Sequence, residues 1–167
     1  MRPITGLRLE TNAGVHMLRF STIVGNRGPG VLELRPEADD CNGNGDFDDD
    51  RSAFQRIYMD TNGNGSYDDG DQFARDVFAG CSYFHPEHHH WHFEEFARYE
   101  LVRPGSGKVV RESDKVSFCV RDSIRFGHLP GSPTSPNYGE CTQDSTSGLS
   151  IGWSDYYGWD RRVRHWT

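Results

Sequence analysis

His88, His90 and His92 stand two residues apart in the run Phe84-His85-Pro86-Glu87-His88-His89-His90-Trp91-His92-Phe93-Glu94-Glu95-Phe96. On a β-strand, residues i, i+2 and i+4 share a face. A strand here therefore sets the three imidazoles in a row and turns His89 and Trp91 to the opposite, packing face. Three imidazoles on one rigid element bind a metal and leave coordination positions open. The ligand type suits zinc, copper, iron or nickel and does not choose among them. Without a metal, the same residues make a polar, solvated strand.

A second chemistry is repeated. The stretch Glu37–Asp76 carries 12 of the 25 acids and only 3 of the 18 Lys and Arg residues, so the net charge of −7 is concentrated there. Within it, Asp40-Cys41-Asn42-Gly43-Asn44-Gly45-Asp46-Phe47-Asp48 and Asp60-Thr61-Asn62-Gly63-Asn64-Gly65-Ser66-Tyr67-Asp68 follow one pattern. Each places oxygen-bearing side chains at loop positions 1, 3, 5 and 9 and glycine at 6, which is the ligand order of a calcium loop. The candidate ligands are Asp40, Asn42, Asn44, Asp46 and Asp48 in the first copy. In the second they are Asp60, Asn62, Asn64, Ser66, Asp68 and, at position 12, Asp71. Position 12 of the first copy is Arg51, which leaves that copy incomplete unless another carboxylate closes it. The plain alternative is a solvated Asp/Asn/Gly turn. Ala53–Met59, between the two, reads as a strand rather than an EF-hand helix.

The elements that must hold these groups are short. Val15–Val24 is rich in β-branched and aromatic residues and ends at the turn cluster Gly25-Asn26-Arg27-Gly28-Pro29-Gly30; Val31–Arg35 alternates and stops at Pro36. These two suggest a strand pair. Phe96–Val102, Lys108–Arg111 and Lys115–Val120 are further strands, and Arg125–Leu149 reads as loop. No window sustains a 3.6-residue period. The expected fold is all-β, an antiparallel β-sandwich with long loops and little helix, in a single domain spanning 1–167 with the acidic segment 37–76 inserted in it.

Composition removes several functions. No apolar run is long enough to span a membrane, and the N-terminus lacks the apolar core of a signal peptide. No basic face emerges to bind nucleic acid. Cys41, Cys81, Cys119 and Cys141 permit three pairings, and none falls in a C-x-x-C zinc motif. A Cys41–Cys81 bridge would close the base of the acidic insert. Disulfides fit a secreted protein whose signal is not in this chain.

At the level of ordered motifs the chain resembles the lysyl oxidase family. Leu18-Arg19-Phe20 followed by Gly25-Asn26-Arg27-Gly28 is similar to an early strand and turn of that family. The H-x-H-x-H with Phe96-x-x-Tyr99-x-Leu101 behind it resembles its copper-binding block. Lys115-Val116-Ser117-Phe118-Cys119-Val120-Arg121-Asp122, with Gly148-Leu149-Ser150 and Asp155-Tyr156-Tyr157-Gly158, resembles the segment holding its cofactor-forming Lys and Tyr. The resemblance implies Cu(II) on His88, His90 and His92, and a lysine tyrosylquinone formed from Lys115 and Tyr157. It also implies a Cys119–Cys141 disulfide and a β-sandwich fold. The implied activity oxidises a primary amine, such as a peptidyl lysine, with molecular oxygen to an aldehyde, releasing hydrogen peroxide and ammonia. Asp122 and Asp155 are candidates for the proton-accepting base by their place in the motifs. The chain departs from the animal enzymes in four ways. It carries the acidic insert, Arg98 stands where they have His, they have more cysteines, and further strands are expected beyond Arg164-His165-Trp166-Thr167. Two rival readings are a non-catalytic extracellular domain binding calcium and a structural metal, and a zinc hydrolase built on the same histidines with Glu94 or Glu95 nearby.

Overall fold

The computed structural model describes residues 5–46, 49–65, 67–114, 116–142 and 145–158. Among these residues there is no helix, and all strand pairing is antiparallel. The strands are β1 (Thr5–Asn12), β2 (Val15–Gly25), β3 (Leu32–Glu37), β4 (Asp50–Met59), β5 (Gln72–His85), β6 (His90–Ala97), β7 (Glu100–Val102), β8 (Val109–Glu112), β9 (Val116–Phe118), β10 (Ile124–Arg125), β11 (Ser147–Leu149) and β12 (Trp153–Tyr157). They form a four-stranded sheet in the order β1-β2-β12-β10 and a six-stranded sheet in the order β11-β3-β4-β5-β6-β9. A separate ribbon pairs β7 with β8.

The two larger sheets share one apolar core. Leu34, Val116, Phe118, Val120 and Leu149 are buried at its centre, and Val24 and Tyr157 of the other sheet pack against them. Each such side chain contributes about 1.5–3 kcal/mol by leaving water. A smaller cluster joins Trp91 and Phe84 to the Cys119–Cys141 disulfide. The second disulfide is Cys41–Cys81, which closes the acidic insert at its base.

Three sequence expectations are corrected. β2 and β3 do not pair: β2 bonds β1 and β12, while β3 bonds β11 and β4. The turn cluster between them is a crossing from one sheet to the other, pinned where Asn26 Nδ2 donates to Gly30 O (2.8 Å) and Leu149 O (2.9 Å). β3 also runs through Pro36, which pairs with Ala53 on one side. β11 covers only Leu32–Leu34 on the other side, so the missing N–H leaves no ladder bond unmade. Phe96–Val102 is not one strand but the end of β6 and, after a break at 98–99, the whole of β7.

β5, the longest strand, hides its alternation. Its pairing with β4 slips between Ala53 and Phe54 and again between Ile57 and Tyr58, passing over Ala79 and Ala74. Each bulge adds one residue and inverts the inside–outside pattern. A period of two counted straight through the strand therefore fails.

Candidate metal centre and tyrosine cleft

The histidines are brought together, though not by one strand. β6 starts at His90, so only His90 and His92 share a strand face; His88 lies in the turn 86–89 joining β5 to β6. His85 pairs with His90, and its carbonyl accepts the N–H groups of His88 (3.2 Å) and His89 (2.8 Å). Pro86 fits such a turn, and His89 takes a left-handed φ of 56°. His89 consequently points into solvent instead of joining the packing face expected for it. Trp91 does pack: it is buried, and its backbone N–H donates to Cys141 O at 2.8 Å. The Arg51 guanidinium lies 4.4 Å above its ring.

One ring nitrogen from each of His88, His90 and His92 lies within 4.8 Å of the others. His90 Nε2 and His92 Nε2 are 2.9 Å apart, and His88 Nδ1 is 3.5 Å from His92 Nε2. Burial holds the His90 imidazole below its ordinary pKa, with His88 adding to the effect. His92 is pushed down to about 3, first by burial and then by His90, His85 and His88. These rings are therefore neutral at pH 7, with lone pairs available to a metal. Behind them, Ser117 Oγ lies 3.2 Å from His92 Nδ1 and 3.0 Å from Tyr83 OH, an outer contact that orients the ring. The donor set fits Cu(II), which imidazole nitrogens suit.

β9 links this cluster to a tyrosine. Ser117 faces His92, while its neighbour Phe118 meets the Tyr157 ring edge-on at 4.3 Å. The Tyr157 hydroxyl accepts Cys119 N–H at 2.9 Å and reaches Cys119 O at 3.3 Å. Burial, then Asp155, raises its pKa. Tyr157 borders a cleft of about 400 Å³ with Met17, Phe20, Tyr99, Val116 and Phe118. Lys115 lies outside the described residues, but Ser113 and Val116, on either side of it in sequence, line this cleft.

The two candidate bases differ in their surroundings. Asp122 accepts Ser150 N–H (2.8 Å), Ser150 O–H (2.7 Å), Asn137 N–H (3.0 Å) and Tyr138 N–H (3.3 Å), and so fastens three loop segments. Asp155 is 3 % exposed; Ser123 donates to its Oδ1 at 2.9 Å, and its Oδ2 has no partner among the described residues. Burial lifts it to about 7. It shares a face of β12 with Tyr157, two residues on. Arg98 turns to the surface, where it pairs with Glu100 (3.0 Å) and Glu112 (3.7 Å).

The acidic loops are organised around their first residue. Asp40 accepts the N–H groups of Gly43 (2.6 Å), Asn44 (3.0 Å) and Gly45 (2.7 Å), and Asp60 those of Asn64 (3.1 Å) and Gly65 (2.7 Å). Asn42 and Asn62 each receive the N–H of the residue two further on (2.9 Å). Asp46 donates its N–H to Asn44 Oδ1 at 2.7 Å. Asp68 Oδ2 is bonded by Asn62 and Asn64 (both 2.7 Å), and Asp71 accepts Thr61 N–H (3.2 Å) and Asp68 N–H (3.0 Å). Asp48 and Ser66 lie outside the described residues. Asp50 was not anticipated: buried at position 11 of the first loop, it accepts Cys41 N–H (2.9 Å) and Asn42 N–H (2.8 Å). Counting ligand positions passed over it. His85 and Ser117 were also missed, because they become neighbours only through pairing across the sheet.

With this geometry in view, comparison with known proteins is direct. The family model for lysyl oxidase matches residues 72–164, from the start of β5 past Tyr157. The chain belongs to the lysyl oxidase family. It is similar to lysyl oxidase homolog 1 of Homo sapiens and of Bos taurus, in each case 40 % identical over 79 residues. The aligned stretch is 46 % of this chain and 12 % of each relative, so the chain spans only a small part of their length. No solved structure matches.

Proposed function

We propose that this chain carries the catalytic site of a copper-dependent amine oxidase of lysyl-oxidase type, acting on a primary amine such as a peptidyl lysine. The observation that carries the reading is the convergence of three imidazoles within 4.8 Å, one strand away from Tyr157. His88, His90 and His92 would hold Cu(II), and Lys115 and Tyr157 would supply the lysine tyrosylquinone. When present, the copper and quinone together provide the oxidising power and the carbonyl that a primary amine needs to become an aldehyde, with oxygen as final acceptor. The protein's own part is positional. Cys119 and Phe118 fix the Tyr157 ring, and the apolar walls of the cleft limit water around it. Asp155 Oδ2, lacking a partner and titrating near neutrality, is suited to take a proton from the bound amine.

The acidic loops favour a second ligand, calcium, bound by the Asp40–Asp48 and Asp60–Asp71 sets. The two disulfides agree with an oxidising, extracellular setting. A non-catalytic domain binding calcium and a structural metal is the rival supported by those loops.

The deciding experiment matures the protein with copper and oxygen and digests it. A Lys115–Tyr157 crosslinked peptide in the mass spectrum, with amine-dependent peroxide release, supports the oxidase. Peptides that always separate, with no peroxide, leave the non-catalytic domain.

A further inference from the structure

Two of the three converging histidines are fixed by the sheet and one is not. His90 and His92 belong to β6, which is bonded on both sides, by β5 and β9. His88 belongs to the turn, where no ladder restrains its side chain. It leans on His85. The two rings lie parallel, 4.0 Å between centroids and 10° between planes. The His85 carbonyl also accepts the His88 N–H at 3.2 Å. His85 is itself anchored, as the last residue of β5 paired with His90. Its ring leans against His92 too, with 5.0 Å between centroids.

The way His85 is used marks it as a support rather than a donor. The converging nitrogens come from His88, His90 and His92, and no His85 nitrogen is among them. Its Nδ1 is buried without a hydrogen-bond partner among the described residues. What it offers its neighbours is the flat face of the ring.

We propose that His85 is a positioning residue of the metal centre, its ring serving as the platform that keeps the turn-borne His88 aligned with His90 and His92. The identity of the metal rests on the copper reading above; the platform does not. Groups that orient a metal ligand typically account for about 10–100-fold in metal affinity. His85→Ala should lose affinity in that range. His85→Phe keeps a flat ring and removes both nitrogens, so it should bind as the unaltered protein does. His85→Leu fills similar space without a flat face and should behave like His85→Ala.

The test uses the full chain, with Cu(II) affinity measured by chelator competition and the ligand set read from nitrogen couplings in the electron paramagnetic resonance spectrum. Expected is a loss of affinity in His85→Ala and His85→Leu, with couplings shifted toward those of His88→Ala, and recovery of both in His85→Phe. Unchanged binding in His85→Ala overturns the proposal. So does a His85→Phe protein that binds as weakly as His85→Ala, since the nitrogen would then be the working group. Should His85→Ala fail to fold, the contrast between His85→Phe and His85→Leu decides in the same way. If the unaltered protein shows no nitrogen-coupled Cu(II), the copper reading fails by itself. The same variants are then compared by Co(II) absorption, with the same pattern expected and the same results overturning it.

Discussion

The histidine–tyrosine end of the molecule and its acidic loops obtain reactive groups by opposite means. At the first, burial does the work: His92 is 6 % and Asp155 3 % exposed, and loss of water drives both toward the uncharged form. In the loops, half-buried Asp40 and exposed Asp60 are held in place by the amides of their own turns. Asp68 is held below the usual carboxylate range by the Asn62 side chain, the Gly70 N–H and Asn64. One region needs the whole fold around it, whereas the other needs only a few residues in the right turn. Substitution and pH should therefore separate them.

The largest effect is expected at Asp122. Replacing it by Ala strands three buried or half-buried N–H groups and the Ser150 hydroxyl, at a cost of about 4 kcal/mol in urea denaturation. Asp60→Ala should cost clearly less, because water can replace the exposed carboxylate. An equal cost would mean that the acidic loops are as integral to the fold as the core.

Calcium comes next. A saturating excess, about 100 times the dissociation constant, should add about 2.7 kcal/mol. The gain should shrink in Asp60→Ala and persist in His90→Ala, while copper binding follows the reverse pattern. Loss of both responses in either variant would show the two regions to be one thermodynamic unit.

Acid titration gives a third separation. Folded His92 titrates near 3 instead of 6.5, so the unfolded chain binds the extra proton between those values and stability rises with pH there. Asp155 titrates near 7 instead of 3.8, so the folded chain holds the extra proton and stability falls over nearly the same window. Each slope reaches about 1.4 kcal/mol per pH unit, and the two oppose. In metal-free Asp155→Asn the histidine slope should stand alone, giving stability that climbs from pH 4 to 6.5, with His85 and His90 adding to it. A profile unchanged from the parent protein would remove Asp155 from the account. The smallest effect is expected on the exposed β4–β5 arm. Arg56→Ala breaks the pair with Asp76 (2.8 Å) yet should leave the denaturation midpoint within error.

What could be read from the sequence follows the same division. The loop candidates are local in sequence, so counting positions picked out Asp40, Asn42, Asn44, Asp60, Asn62, Asn64, Asp68 and Asp71, each of which takes part in the hydrogen bonding of its own loop. The H-x-H-x-H spacing found three residues that do converge, though the strand argument behind it holds only for His90 and His92. Pro86 gave the available hint of a turn; the left-handed φ of His89 is not visible in a period of two. β5 was obscured by its two bulges, and the separation of β2 from β3 depends on where Asn26 bonds across the fold. Asp122 and Asp155 look alike in sequence, and only their hydrogen bonds tell the anchored carboxylate from the one with an open oxygen.

One structural feature bears on the working life that the proposed oxidase would have. All four cysteines are paired, so no thiolate is offered to hydrogen peroxide. The remaining oxidisable sulfur among the described residues is in thioethers: Met59, exposed at the end of β4, and Met17, in the wall of the Tyr157 cleft. Sulfoxide formation at Met59 would alter only a surface. At Met17 it would place a polar oxygen in the cleft where the amine is expected, so turnover itself would mark and wear out the molecule at that position.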